Sequence, residues 1–167
     1  MADKFLAIGT NGTEERNPLT TSTGAPDADR IVSTGADGRL DETVMPLGVA
    51  PDVYIGNAFE SLSAGAFVYI RSNGTVANAS AASGGTGAVG YVTQSYTTGT
   101  SARVYFEGTN AFLTGLTVGV PYYLSNTVPG GVTTTIPTGT GTLFQPVGTS
   151  VSATTINAEI ARPIVRA

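Results

Sequence analysis

The stretch Phe67-Val68-Tyr69-Ile70-Arg71-Ser72-Asn73-Gly74-Thr75-Val76 decides the fold class. Four aromatic or β-branched residues lead into Ser-Asn-Gly, and strand character resumes at Thr75. Asn-Gly between two such runs is the strongest short hairpin signal, because the tight turn that matches strand twist needs positive φ at its centre. Runs of the same kind continue downstream at Ala88 to Thr93, Ala102 to Phe106, Pro121 to Ser125, Val132 to Thr135, Leu143 to Thr149 and Thr154 to Ile160. Turn clusters such as Thr98-Gly99-Thr100 and Pro129-Gly130-Gly131 separate them. In Thr155-Ile156-Asn157-Ala158-Glu159-Ile160 the apolar residues fall on alternate positions, the pattern of a strand with one buried face. These signals predict an all-β fold, a small β-sandwich or β-barrel domain over residues 53–167.

Upstream the composition changes. Pro18, Pro26, Pro46 and Pro51 interrupt every stretch before a helix of ordinary length forms. Apolar residues come in small groups, Phe5-Leu6-Ala7-Ile8, Ile31-Val32 and Val44-Met45-Pro46-Leu47. Through Glu60 there are four bases against ten acids, and beyond it four against two. Disordered linkers are poor in such aliphatic groups. Residues 1–52 therefore read as an extended N-terminal arm with little regular secondary structure that buries its apolar groups on another surface.

Composition narrows the chemistry. The chain has 167 residues, 12% of them charged, with 22 Gly and neither His nor Cys. A Ser-His or Cys-His nucleophile, a His general base and an ordinary zinc site are thereby excluded, as are disulfides. A net charge of −4 with a single Lys opposes nucleic-acid binding, which needs clustered bases. No apolar run reaches the roughly 20 residues of a membrane span, and the start Met1 to Gly12 has too short an apolar stretch for a signal peptide.

Specific sites are looked for in turn. No Gly-Lys pair forms a phosphate loop, and Gly139-Thr140-Gly141 and Gly84-Gly85-Thr86-Gly87 lack the helix and ribose acid of a dinucleotide site. Asp37-Gly38-Arg39-Leu40-Asp41-Glu42 offers carboxylates for a hard cation but lacks the twelve-residue calcium loop, and reads as a solvated turn. The Asn-X-Thr/Ser triplets at Asn11, Asn73 and Asn78 read as polar turns. Glu60, Glu107 and Glu159 show no spacing of a catalytic pair. No catalytic residue, metal site or cofactor is expected. Tyr122 and Tyr123, on opposite faces of one strand, read as a core ring beside a half-exposed one, with an oligomer interface as the functional alternative.

The order of short segments resembles the β-rich decoration, or cement, proteins on the capsids of tailed bacteriophages. It runs from Asp29-Arg30-Ile31-Val32-Ser33-Thr34-Gly35, Asp37-Gly38-Arg39-Leu40-Asp41 and Val44-Met45-Pro46 through Glu60-Ser61-Leu62-Ser63-Ala64-Gly65-Ala66-Phe67-Val68 and Gly90-Tyr91-Val92. It ends in Gly115 to Ser125, Pro129-Gly130-Gly131-Val132-Thr133 and Gln145-Pro146-Val147-Gly148-Thr149-Ser150. The segments cover most of the chain, and phage tail, fibre and baseplate proteins share the later ones. The resemblance implies a structural virion protein on the outer surface of the capsid. Its partners would be the major capsid protein and further copies of itself in a homo-oligomer, a trimer before a dimer, with no nucleic acid and no membrane. Phe5, Leu6, Ile8, Ile31, Val32, Leu40, Val44, Met45 and Leu47 are the expected capsid anchors, and Tyr122 and Tyr123 the expected oligomer contact. The alternatives are a tail-fibre or baseplate component and a carbohydrate-binding β-sandwich, the latter disfavoured by the absence of Trp.

Overall fold

The computed structural model describes residues 4–9, 12–28, 30–45 and 52–167. The chain divides into two compact units, Met1–Ala50 and Pro51–Ala167. The described regular structure consists of strands and two short 3-10 turns, at Ala25–Asp27 and Glu42–Val44.

The first unit carries strands β1 (Phe5–Gly9) and β2 (Gly12–Arg16), paired antiparallel with Phe5 opposite Arg16 and Ile8 opposite Thr13. Its arm is thus not extended throughout, since the group Phe5-Leu6-Ala7-Ile8 forms half of a hairpin. A polar partner strand, Gly12-Thr13-Glu14-Glu15-Arg16, hides that hairpin from a pattern search that looks for two apolar runs.

In the second unit the strands are β3 (Val53–Asn57), β4 (Phe67–Ile70), β5 (Val76–Asn78), β6 (Gly90–Tyr91), β7 (Ser101–Tyr105), β8 (Gly108–Asn110), β9 (Pro121–Leu124), β10 (Val132–Thr133), β11 (Leu143–Phe144), β12 (Pro146–Ser152), β13 (Thr155–Ala158) and β14 (Ile164–Val165). They form two five-stranded antiparallel sheets, in the orders β3-β7-β6-β4-β5 and β10-β9-β12-β13-β8, and a small sheet of β11 and β14. The hairpin read at Asn73-Gly74 is present, with Ile70 opposite Val76 and Gly74 at φ 80°.

The first sheet curls until its edges meet. Beyond β3, Ala58 bridges Val76 of β5, and the Phe59 N–H donates to Val76 O at 2.8 Å. Two further contacts close the same seam: Tyr54 Oη donates to Gly74 O at 2.8 Å, and the Arg71 guanidinium lies 3.6 Å from the Phe59 ring centroid. Gly56 sits at this seam because a Cβ there would lie 2.5 Å from Gly74 O and 2.7 Å from the Tyr54 ring. Inside the curl pack Ala58, Leu62, Val68, Val76, Val92, Tyr96, Ala102 and Val104.

A second core fills the space between the two sheets. Adjacent strand residues point to opposite faces, so Val68 enters the curl while Phe67 faces the second sheet with Tyr91. There they meet Tyr122, Leu124, Val147, Ile156 and Ala158. The one-sided reading of Thr155 to Ile160 is seen directly, with Ile156 and Ala158 buried and Asn157 and Glu159 exposed. Burial of these two sets is the main stabilising term, at about 1.5–3 kcal/mol for each large side chain.

Candidate interaction surface

Among its described residues the first unit has no core. None of its described residues is buried, although it contains Phe5, Leu6, Ile8, Leu19, Ile31, Val32, Leu40, Val44 and Met45. Strand alternation puts Leu6 and Ile8 on one face of the hairpin, 73% and 92% exposed, and half-buries Phe5 and Ala7 on the other. The hairpin's ion pairs, Lys4 to Glu15 at 2.7 Å and Arg16 to Glu14, are exposed and contribute little.

Beyond the hairpin the chain folds back on itself. Leu19 forms a parallel bridge with Val32, its N–H donating to Ile31 O and its carbonyl accepting from Ser33 N–H. Between these points Asp27 accepts from the Thr23 N–H at 2.7 Å and from Thr23 Oγ1 at 2.8 Å. These bonds, the backbone one foremost, and then nearby Arg30 hold the Asp27 carboxyl below the ordinary aspartate value. The Asp37-Gly38 segment is a turn, with Gly38 N–H donating to Gly35 O and Asp37 Oδ1 accepting from the Arg39 N–H. Among the described residues no group of three or more His, Cys, Asp or Glu is placed to hold a metal ion.

The fold-back creates a shallow groove of about 330 Å³ lined by Leu19, Asp27, Arg30, Val32, Val44 and Met45, among others. It gathers three of the anchors read from the sequence, Val32, Val44 and Met45, and adds Leu19, which stands alone after Pro18 and was invisible as a cluster. Ile31 and Leu40 are exposed outside it, Phe5, Leu6 and Ile8 lie on the hairpin, and Leu47 lies outside the described residues.

The two tyrosines separate sharply. Tyr122 is buried in the core, where its Oη accepts the Thr117 N–H at 2.9 Å, so its ring is not available to a partner. Tyr123 is half-buried on the outer face of the second sheet, 5.5 Å from the Phe144 ring. The Tyr91 phenol is pushed up from its ordinary value, by burial first and by Tyr105 second.

The chain is an all-β protein in which one unit carries two apolar cores and the other, among its described residues, carries an acidic, apolar surface without a core. No protein-family model and no curated protein matches it.

Proposed function

We propose that this chain is a structural virion protein that binds the outer surface of a bacteriophage capsid and bridges neighbouring major capsid protein subunits. The observation that carries the reading is the absence of a core among the described residues of the first unit. Nine large apolar side chains in a segment that buries none of them are a surface built to be covered. Covering one such side chain is worth about 1.5–3 kcal/mol, and ordering the segment costs backbone entropy that a partner must offset. Binding only to the assembled lattice stabilises that lattice by mass action. Several copies held together multiply a modest contact through avidity.

The test is cosedimentation with expanded capsids stripped of the protein, comparing the full chain with a version starting at Val53. Saturable binding that needs the first unit supports the reading. Binding by the shortened chain, binding by neither, or a label found by electron microscopy on the tail overturns it.

A further inference from the structure

The β4–β5 turn carries a reactive pair that the fold holds in place. An asparagine followed by glycine is open to attack on its side-chain amide by the next backbone nitrogen, because glycine has no Cβ to shield that nitrogen. Asn73-Gly74 is the one such pair among the described residues, and Asn73 is exposed at the tip of the hairpin. Both reacting groups are nevertheless engaged. Gly74 N–H donates to Arg71 O at 2.8 Å, and Asn73 Oδ1 accepts from Thr75 N–H at 3.1 Å and from Thr75 Oγ1 at 2.8 Å.

The same turn forms one side of the seam that closes the curled sheet. Gly74 O accepts from Tyr54 Oη at 2.8 Å and lies against Gly56, where an added Cβ would sit 2.5 Å away. Arg71 joins turn to seam. Its carbonyl accepts the Gly74 N–H, its own N–H donates to Thr75 O at 2.8 Å, and its guanidinium stacks 3.6 Å from the Phe59 ring centroid. Phe59 N–H is in turn bonded to Val76 O. Freeing the Gly74 nitrogen from Arg71 O therefore disturbs the contacts that hold the sheet closed.

The geometry points to Asn73 as a site of spontaneous backbone modification that the closed seam holds back and that, once modified, keeps the seam from closing. In the first step the Gly74 nitrogen bonds to Asn73 Cγ and the Cγ–Nδ2 bond breaks, so that Nδ2 leaves as ammonia with the Gly74 amide proton. Water then opens the cyclic imide at either carbonyl. One opening gives aspartate, and the other gives isoaspartate, whose main chain runs through Cβ and Cγ. The isoaspartate turn is one backbone atom longer. Gly56 and Tyr54 leave Gly74 O no slack to absorb that atom, so the turn loses its register against β3. This chemistry belongs to the second unit and stands whether or not the chain binds a capsid.

The test incubates the full chain at mildly alkaline pH, natively and in urea, and follows the tryptic peptides by mass spectrometry. Arg71 and Arg103 bound the peptide that carries Asn73, while Asn11-Gly12 falls in the peptide between Lys4 and Arg16. Native modification at Asn73 should be at least about tenfold slower than in urea, since hydrogen bonds on both reacting groups must open first. Tyr54→Phe should speed the native reaction about fivefold, the factor that one hydrogen bond of ordinary net strength is worth. Gln145→Ala, in the sandwich away from the seam, should leave it unchanged. Equal native and urea rates, no rise in Tyr54→Phe, or as large a rise in Gln145→Ala overturns the gate. In the isolated isoaspartate form the Phe59 amide should exchange at least about tenfold faster than in fresh protein, as a locally opened segment does. Asn73→Asp gains the charge without the extra backbone atom and should keep the fresh rate. Unchanged exchange in the isoaspartate form, or equally fast exchange in Asn73→Asp, overturns the lengthened turn as the cause.

Discussion

Gln145 and Ala88, fifty-seven residues apart, bind each other in both directions: Gln145 Nε2 donates to Ala88 O and Gln145 Oε1 accepts the Ala88 N–H, both at 2.8 Å. Gln145 is fully buried between β11 and β12, and Ala88 precedes β6 of the other large sheet, so this side chain acts as a strand across the sandwich. The second Nε2 hydrogen reaches Ala161 O, also at 2.8 Å. Gln145→Ala strands the buried Ala88 groups and opens a cavity. The expected loss is about 3 kcal/mol in urea unfolding, since each buried group left unpaired costs about 1–3 kcal/mol. A loss under about 1 kcal/mol would show that water replaces the amide.

The curled sheet has a single seam, and Gly56 tests it. Gly56→Ala drives a Cβ into Gly74 O and the Tyr54 ring, where backbone on one side cannot yield. Gly99→Ala is the matched control: its φ is 83°, with open space around the added atom. The control should lose about 1–2 kcal/mol, the left-handed penalty. Gly56→Ala should lose more, about 3 kcal/mol by the scale of overpacked cores, and should raise amide exchange at Phe59. Equal losses would mean that the seam relaxes freely.

What was legible in the sequence follows from periodicity. The alternation from Thr155 to Ile160 and the Asn73-Gly74 turn each encode a face or a reversal locally, and both are found as read. Strand β3 was missed because Gly56 interrupts an already short run, and β14 because Pro163 precedes only two strand residues. Closure of the curled sheet rests on a bridge between Ala58 and Val76, a tertiary pairing that no local pattern specifies. The apolar groups of the first unit were legible as groups. Their gathering of Leu19 with Val32, Val44 and Met45 depends on a fold-back closed by backbone bonds, and those leave no mark in residue type.

Asp27 sets the acid limit of that fold-back. Its folded value lies below the ordinary 3.8, so the interaction is fully present above that pH and is lost as pH falls through the depressed value. The Asp27 carboxyl carbon followed by NMR should titrate with a midpoint below 3.8, and Thr23 amide protection should vanish over the same interval. Thr23→Ala removes the hydroxyl donor but keeps the backbone N–H, the larger cause, so the midpoint should rise only part of the way. A midpoint at the ordinary value in the unaltered chain would refute the arrangement.

Every buried apolar residue among those described lies between Ala58 and Ala158, so folding is separable from the proposed attachment. A chain starting at Val53 should therefore melt within about 3 °C of the full chain, since a shift of about 4–8 °C per kcal/mol applies at 60–100 residues and less in larger domains. The triple variant Leu40→Asp, Val44→Asp and Met45→Asp changes residues that are exposed or half-buried. It should leave that melt unchanged and reduce cosedimentation with stripped capsids at least tenfold, because three charges would have to be desolvated at the contact. The converse variant, Leu124→Ala, lies in the core between the sheets and should cost about 2–5 kcal/mol. A triple variant that lowers the melt as Leu124→Ala does would mean that the first unit is part of the folded core after all.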